Sequence, residues 1–261
     1  MKNDEALYSD IPPSKQRMDT KPFISSEISP FCVSVCNMIF YKMLESSFNS
    51  IRVKNVENYE LRNPEKGNIF YGLHSCWWDG MVSYYLCKKI LGTNIRMMIE
   101  QLHQFPVLAK IGAFSVDKKS TSSVIKALNY SVDIVKDPKT SLWLFPQGIV
   151  KPPEHRPVKF NSGISYLCRQ VDGVNLFPVA VKYSFLRENK PEILIEIGSP
   201  IIVNNDNFNR EEFTEFLEHD MTELADKQRL EISKGNLDGY KTFYQSKIGL
   251  FKRIEKYLRK Y

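Results

Sequence analysis

His74 and Asp79 are the two side chains whose types and spacing could carry out acid–base chemistry. They lie five positions apart, between an apolar run and a segment with helical periodicity. An imidazole can take a proton from an attacking hydroxyl, and a carboxylate can fix its tautomer and stabilise the imidazolium. Five residues of continuous helix turn through about 500°. The pair can therefore meet only if His74 precedes the helix and Asp79 lies in its first turn.

The spacing alone does not establish a catalytic pair, because an H-x4-D pattern also arises by chance. The other histidines, His103, His155 and His219, have no comparable partner and are expected to be ordinary loop or surface residues. Cys76 could act as a nucleophile beside His74, but no second group that would orient such a pair is evident. The acid–base interpretation is therefore favoured over the nucleophilic one.

The elements that must position these residues alternate between short apolar strands and helices. Strands are predicted at 68–73, 95–99, 113–117, 141–145, 175–183 and 192–197. Helices are predicted at 29–49, 77–91, 105–111, 120–135, 162–170, 208–233 and 240–261. This alternation is typical of a single α/β domain with a mostly parallel or mixed sheet flanked by helices. The predicted organisation is a mobile arm over 1–28, a domain with an N-terminal helix over 29–235, and a basic amphipathic C-terminal helix over 236–261.

The first predicted helix carries an apolar stripe. Phe31, Val35, Ile39 and Met43 recur every four positions, with Met38 beside them. Such a stripe either packs on the core or makes a shallow contact with a membrane. Packing on the core is favoured. The apolar run itself is too short and too polar to span a bilayer.

Composition and charge exclude several classes of protein. The chain has 261 residues, of which 43% are apolar and 25% charged, so it is neither disordered nor collagen-like. The net charge of +6 arises between Lys241 and Lys260, so no nucleic-acid footprint covers the surface. The five cysteines are scattered, with no zinc spacing, which predicts reduced thiols in the cytosol and no metal site. The N-terminus has no apolar segment typical of a secretory signal.

Three further segments follow the H-x4-D pair in order. Residues 112–118 contain a glycine, an apolar run and an acid–base pair. Residues 145–148 close a strand with a turn, where backbone can approach a ligand. Residues 177–179 form an apolar-Pro-apolar strand. In this order the four segments resemble the sequence blocks of the glycerolipid acyltransferase family, whose type member is 1-acylglycerol-3-phosphate acyltransferase. The resemblance covers about residues 68–183.

The resemblance implies an O-acyltransferase that uses an acyl thioester. The donor would be acyl-CoA or acyl carrier protein, and the acceptor a hydroxyl of a lysophospholipid or related lipid. His74 would be the general base and Asp79 its orienting carboxylate, with no metal, no cofactor and no covalent acyl-enzyme. The residues implied in acceptor binding are Lys118, Phe145, Pro146, Gln147 and Gly148.

The chain departs from the family pattern at two positions in the acceptor blocks. In place of the family's usual arginine the chain has Lys118, which offers a positive charge to a phosphate but not the bidentate pair of hydrogen bonds. In place of the family's usual glutamate the chain has Gln147, which keeps a hydrogen-bonding carbonyl but carries no charge. The acceptor could therefore be another lysophospholipid, an aminolipid or a glycosylated carotenoid. Arg156, with Lys151 and Lys159, could supply phosphate contacts or form a solvated basic loop.

Two other functions compete with the enzyme. The first is a catalytically inactive lipid-binding or membrane-docking protein on the same fold, against which the intact pair of His74 and Asp79 argues. The second is an esterase of the α/β-hydrolase type, against which the absence of a G-x-S-x-G motif argues.

The end of the chain combines apolar and basic residues. Tyr244, Ile248, Phe251, Ile254 and Leu258 recur at spacings of three and four among basic residues, as in a helix lying in a membrane interface. Packing of this stripe against the acidic helix predicted at 208–233 fits nearly as well. A lipid acceptor requires membrane contact somewhere. The protein is therefore expected to be cytoplasmic and peripheral on the membrane.

Overall fold

The computed structural model describes residues 22–186, 188–204 and 208–246. The strands in these ranges are β1 (Ser50–Lys54), β2 (Gly67–Gly72), β3 (Asn94–Ile99), β4 (Ala113–Ser115), β5 (Thr140–Leu144), β6 (Val174–Ser184), β7 (Glu192–Ile197), β8 (Ile201–Val203) and β9 (Tyr240–Gln245). The α-helices are α1 (Pro30–Ser47), α2 (Asp79–Tyr85), α3 (Thr121–Val135), α4 (Gly163–Gln170) and α5 (Arg210–Ser233). Short 3₁₀ turns occupy Val56–Leu61, Leu102–Gln104 and Pro106–Ile111, and a π-helical turn continues α2 over Leu86–Ile90.

The strands form one mixed sheet in the order β4–β3–β5–β2–β6–β7–β1–β9, with β8 paired to the start of β6. The strands from β4 to the first half of β6 are parallel, and β7 is antiparallel to the second half of β6. The carboxyl ends of β2, β3, β4 and β5 therefore meet at one edge, where ligands bind in open α/β sheets. The predicted fold class, an α/β domain with a mixed sheet flanked by helices, is confirmed.

Apolar side chains on both faces of the central strands account for the two helical layers. In β2, Ile69 and Tyr71 pack in the core formed with α3, α4 and α5, while Phe70 packs in the core formed with α1 and α2. Every residue of β2 and β5 is buried, as expected of strands covered on both faces. The strand that leads to His74 is therefore fixed from both sides.

The N-terminal region differs from the predicted mobile arm. Residues 22–28 run along the open edge of β4, where Ile24 donates its N–H to Ser115 Oγ (2.7 Å) and Ser115 donates its N–H to the Ile24 carbonyl (2.9 Å). Glu27 donates its N–H to the Ala109 carbonyl (3.0 Å). The described part of the arm is thus held against the domain. Residues 1–21 lie outside the described residues.

α1 has the predicted position but packs through a different face from the predicted stripe. Cys36 and Leu44 are buried in the core, whereas Phe31, Met38 and Ile39 are 77%, 53% and 44% exposed. The helix is apolar on several sides, so a spacing of four could not select the buried side. Across the described residues, no helix combines the length and apolar content that crossing a bilayer requires.

The helix predicted over 240–261 is wrong in its first part. Tyr240–Gln245 form a strand that pairs antiparallel with β1, and Tyr244 donates its hydroxyl to the Glu45 carbonyl (2.8 Å). Tyr240 and Tyr244 lie on opposite faces, because the register of β9 shifts between them: the Tyr240 hydroxyl accepts from the Gln228 side-chain amide of α5, whereas Tyr244 reaches α1. The segment is a strand because it pairs with β1, a partner distant along the chain that the spacing of its own residues does not encode. The predicted stripe residues Ile248, Phe251, Ile254 and Leu258 lie outside the described residues.

Gly112→Ala should destabilise the fold more than Gly92→Ala. Both glycines have positive φ (118° and 66°), which costs an L residue about 1–2 kcal/mol. Only at Gly112 would a Cβ lie 2.3 Å from the Ile95 carbonyl oxygen, whose displacement costs about another 1–3 kcal/mol. A Cβ at Gly92 would have no heavy atom within 4 Å apart from those of its chain neighbours. Denaturant unfolding measures both losses, and equal losses would contradict the close approach.

Candidate active site

The turn between β2 and α2 brings His74 and Asp79 together. His74 stands two residues beyond β2, and Asp79 is the first residue of α2. His74 Nδ1 lies 2.9 Å from Asp79 Oδ2, which confirms the predicted contact. Because an ionised carboxylate can only accept, Nδ1 carries the proton of the neutral ring and Nε2 keeps its lone pair. The His74 side chain is 26% exposed and that of Asp79 is 2% exposed, so the imidazole covers a buried carboxylate.

The Asp79 carboxylate is held by donors besides the imidazole. Oδ2 accepts the backbone N–H groups of Ser75 (2.5 Å) and Cys76 (2.8 Å), and Oδ1 accepts the hydroxyl of Tyr183 (2.7 Å). Burial by itself would raise the pKa of Asp79, but these hydrogen bonds and that from His74 outweigh burial and lower the pKa below its usual value. The carboxylate is therefore an anion at neutral pH and a fixed partner for the imidazole.

The turn after β5 holds the ring and the backbone of His74. The Phe145 ring stacks on the imidazole, with ring centroids 4.5 Å apart and planes inclined by 17°. Gln147 Oε1 accepts the N–H of His74 (2.8 Å), and the N–H of Lys151 donates to the His74 carbonyl (2.9 Å). Phe145 and Gln147, implied by resemblance in acceptor binding, thus contact the histidine directly.

Pro146 and Gly148 shape the turn that carries Gln147. The Pro146 carbonyl accepts the backbone N–H (2.8 Å) and the side-chain amide (3.1 Å) of Asn161. Gly148 has φ of 71°, and a Cβ there would lie 2.7 Å from Asn161 Nδ2. The positive φ therefore favours a glycine where the turn passes Asn161.

Two cations predicted for acceptor binding are each paired with a carboxylate. Lys118 Nζ lies 2.6 Å from Glu100 Oε2 and also donates to the Gly148 carbonyl. The Arg156 guanidinium lies 2.6 Å from Asp226 Oδ1. The side chains of Lys118 and Arg156 remain 41% and 27% exposed, so both are within reach of solvent. A phosphate bound here would share each cation with a carboxylate.

Tyr183, Glu100 and Asp226 are site residues that the sequence did not identify. Tyr183 lies on β6, and Phe177, Val179, Val181 and Tyr183 pack in the same core as α1 and α2. The period of two along the fourth block was therefore the signal that could have placed Tyr183. Among the described residues, no group of three His, Cys, Asp or Glu side chains could hold a metal ion.

Comparison with known proteins decides the family. Residues 51–182, just over half of the chain, match the model of the Acyltransferase family. The chain belongs to the Acyltransferase family. The match includes the His–Asp pair and all three later blocks, so the predicted family is confirmed.

The fold of this acyltransferase is similar to a solved enzyme structure. The 1-acyl-sn-glycerophosphate (LPA) acyltransferase PlsC from Thermotoga maritima superposes with a TM-score of 0.51 over 75% of this chain and 79% of that chain, at 13% sequence identity. No curated protein matches this chain in sequence. The likeness to PlsC supports the fold.

Cys76→Ala should leave the acyl-transfer activity of the acyltransferase within severalfold of the wild type. Burial and the charge of Asp79 raise the pKa of the Cys76 thiol, so little thiolate is present at neutral pH. Its Sγ lies 3.6 Å from Asp79 Oδ1, where a thiol is only a weak donor. Steady-state kinetics check this expectation. A loss as large as that expected for removal of the His74 imidazole would instead indicate that Cys76 is a nucleophile that forms an acyl-enzyme.

Proposed function

We propose that this acyltransferase moves a fatty acyl group from an acyl thioester to a hydroxyl of a lysophospholipid or related lipid, with His74 as general base. The observation that carries the proposal is the 2.9 Å contact between His74 Nδ1 and Asp79 Oδ2. It leaves Nε2 as the basic nitrogen of an imidazole that is partly exposed at the carboxyl edge of the sheet. Family membership supports acyl transfer as the reaction.

In the proposed reaction the acceptor hydroxyl gives its proton to Nε2 while its oxygen bonds to the thioester carbonyl carbon. Asp79 stabilises the imidazolium that forms and keeps the ring oriented. The carbon–sulfur bond then breaks, and the leaving thiolate takes the proton from the imidazolium. The products are an ester and a free thiol, of coenzyme A or of acyl carrier protein. In this scheme the chain needs no metal and no resident cofactor.

We infer that the acceptor headgroup lies over the loops after β4 and β5. Gln147 is uncharged, and Lys118 shares its charge with Glu100. Lys118, Glu100 and Gln147 together therefore carry no net charge at this edge. Such an edge suits a lysophospholipid whose phosphate is a diester better than one whose phosphate is a dianionic monoester. A panel of lysolipids that differ only in headgroup would measure this preference.

His74→Ala should lower kcat by roughly 100- to 10,000-fold, the range that a general base contributes. Asp79→Asn should leave a larger residual rate, because the imidazole remains although its tautomer and charge are less well held. The assay follows thiol release from acyl-CoA or acyl carrier protein across the lysolipid panel.

His219→Ala is the matched control, since His219 also pairs with a carboxylate (Glu223, 3.4 Å) but is exposed on α5. It should keep full activity. A folded His74→Ala variant with near-wild-type turnover would overturn the mechanism. A wild-type chain that binds lipid vesicles but transfers no acyl group would favour the inactive lipid-binding protein instead.

We also propose that the protein works as a peripheral protein at the cytoplasmic face of a membrane. Large apolar side chains are exposed beside the site: Trp77 is 66% exposed and Ile149 is 53% exposed, three residues after His74 and directly after Gly148. The outward face of α1 adds Phe31, which is 77% exposed. Exposed apolar groups next to a site for a lipid acceptor support contact with a bilayer.

Replacing Phe31, Met38 and Ile39 together by serine should weaken vesicle binding about tenfold or more, because burying even one such side chain contributes about 1.5–3 kcal/mol and about 1.4 kcal/mol is tenfold in affinity. Ile202→Ser with Leu230→Ser is the control, because these side chains are similarly exposed elsewhere. Co-sedimentation with anionic liposomes is the measurement. A chain ending at Ser246, which keeps β9, tests the basic segment 247–261. Unchanged binding by both variants would refute the proposal that the outward face of α1 and the segment 247–261 bind the membrane.

A further inference from the structure

Tyr183 is distant from the His–Asp pair in sequence and adjacent to it in space. It lies 104 residues after Asp79, and its hydroxyl donates to Asp79 Oδ1 at 2.7 Å. Its ring lies beside Phe48, with centroids 5.7 Å apart. Burial and the charge of Asp79 raise the pKa of Tyr183 well above its usual value, so the hydroxyl remains a donor at any working pH.

The two oxygens of Asp79 have different sets of donors. Oδ2 receives the imidazole and the two backbone N–H groups of Ser75 and Cys76. Among the described residues, Oδ1 receives one short contact, from the Tyr183 hydroxyl. The Ser75 hydroxyl and the Cys76 thiol are farther from Oδ1, at 3.4 and 3.6 Å. The tyrosine thus restrains the second oxygen and, together with the donors to Oδ2, opposes rotation of the carboxylate about its Cβ–Cγ bond.

We propose that Tyr183 is a positioning residue for the proposed reaction: its hydroxyl holds the Asp79 carboxylate so that His74 Nε2 stays directed at the acceptor hydroxyl. The proposal rests on the acyl-transfer function above. In this proposal β6, the strand that contains the fourth block, contributes to the reaction through Asp79 and does not contact the substrate.

The direction of the pH effect follows from the groups that face the carboxylate. These are His74, Ser75 and Cys76 from its own turn and Tyr183 from β6. Removing the tyrosine hydroxyl leaves more negative charge directed at the imidazole, which favours the imidazolium. The base is then protonated over a wider range of pH, and the acid limb of kcat/KM moves to higher pH.

Tyr183→Phe tests the proposal, because it keeps the ring against Phe48 and removes only the hydroxyl. We expect kcat to fall about tenfold, the scale of one hydrogen bond to a charged group, with KM little changed. The acid limb should move upward as described. In proton NMR, the His74 Nδ1–H resonance should shift or broaden, since the carboxylate that accepts it has lost a hydrogen bond.

Tyr71→Phe is the matched control. The Tyr71 hydroxyl also donates to a carboxylate, Asp220 (2.9 Å), but in the core on the other face of the sheet. It should change neither kcat, nor the acid limb, nor the Nδ1–H resonance. Equal effects of the two variants would make the tyrosine effect a general loss of structure and overturn the proposal.

A double-mutant cycle isolates the route of action. If Tyr183 acts through Asp79, then Tyr183→Phe should have little further effect in the Asp79→Asn background. Additive losses would overturn the proposal. The NMR measurement needs no substrate, so it separates the two claims. Failure of acyl transfer in the wild type would refute the proposed function, whereas an unchanged Nδ1–H signal in Tyr183→Phe would refute the positioning role.

Discussion

The geometry of the site depends on the charge of one buried carboxylate. An ionised carboxylate removed from water is strongly unfavourable unless hydrogen bonds replace its solvation. Asp79 receives them from the turn after β2, from the imidazole and from β6. These donors converge only because β2 and β6 are neighbours in a register that pairs Gly72 with Val179, which places Tyr183 beyond the end of β2. The order of the strands therefore also determines whether Asp79 stays ionised and keeps His74 oriented as a base.

The sequence was informative where short-range patterns decide the structure. Buried parallel strands are nearly continuous apolar runs, so β2, β3 and β5 were predicted within one or two residues. The predicted junction of β2 and α2 already implied the contact of His74 with Asp79, because the two can meet only if the helix begins after His74 and has Asp79 in its first turn. Parallel strands also bring their carboxyl ends to one edge, so the blocks had to gather there.

What the sequence did not reveal depends on partners distant along the chain. β1 and β8 have five and three residues and are strands because of their neighbours, with little pattern of their own. The side of α1 that is buried is chosen by the surface it meets. The contacts of Tyr183 with Asp79 and of Glu100 with Lys118 join separate elements. Local periodicity indicates which face of β6 carries Tyr183, but not the carboxylate that its hydroxyl meets.

The position of β1 has a consequence for how the chain reaches this fold. Among the described strands β1 comes first, yet its partners there are β7 and β9, and Ser50 meets Glu192 across 142 residues. During synthesis it has no strand partner until most of the chain is available. Closing so long a loop before any pairing is gained slows folding and leaves strand edges unpaired meanwhile. Assembly around the central parallel strands can come earlier, and β9, the last of the described strands, pairs with β1 only when the chain is nearly finished.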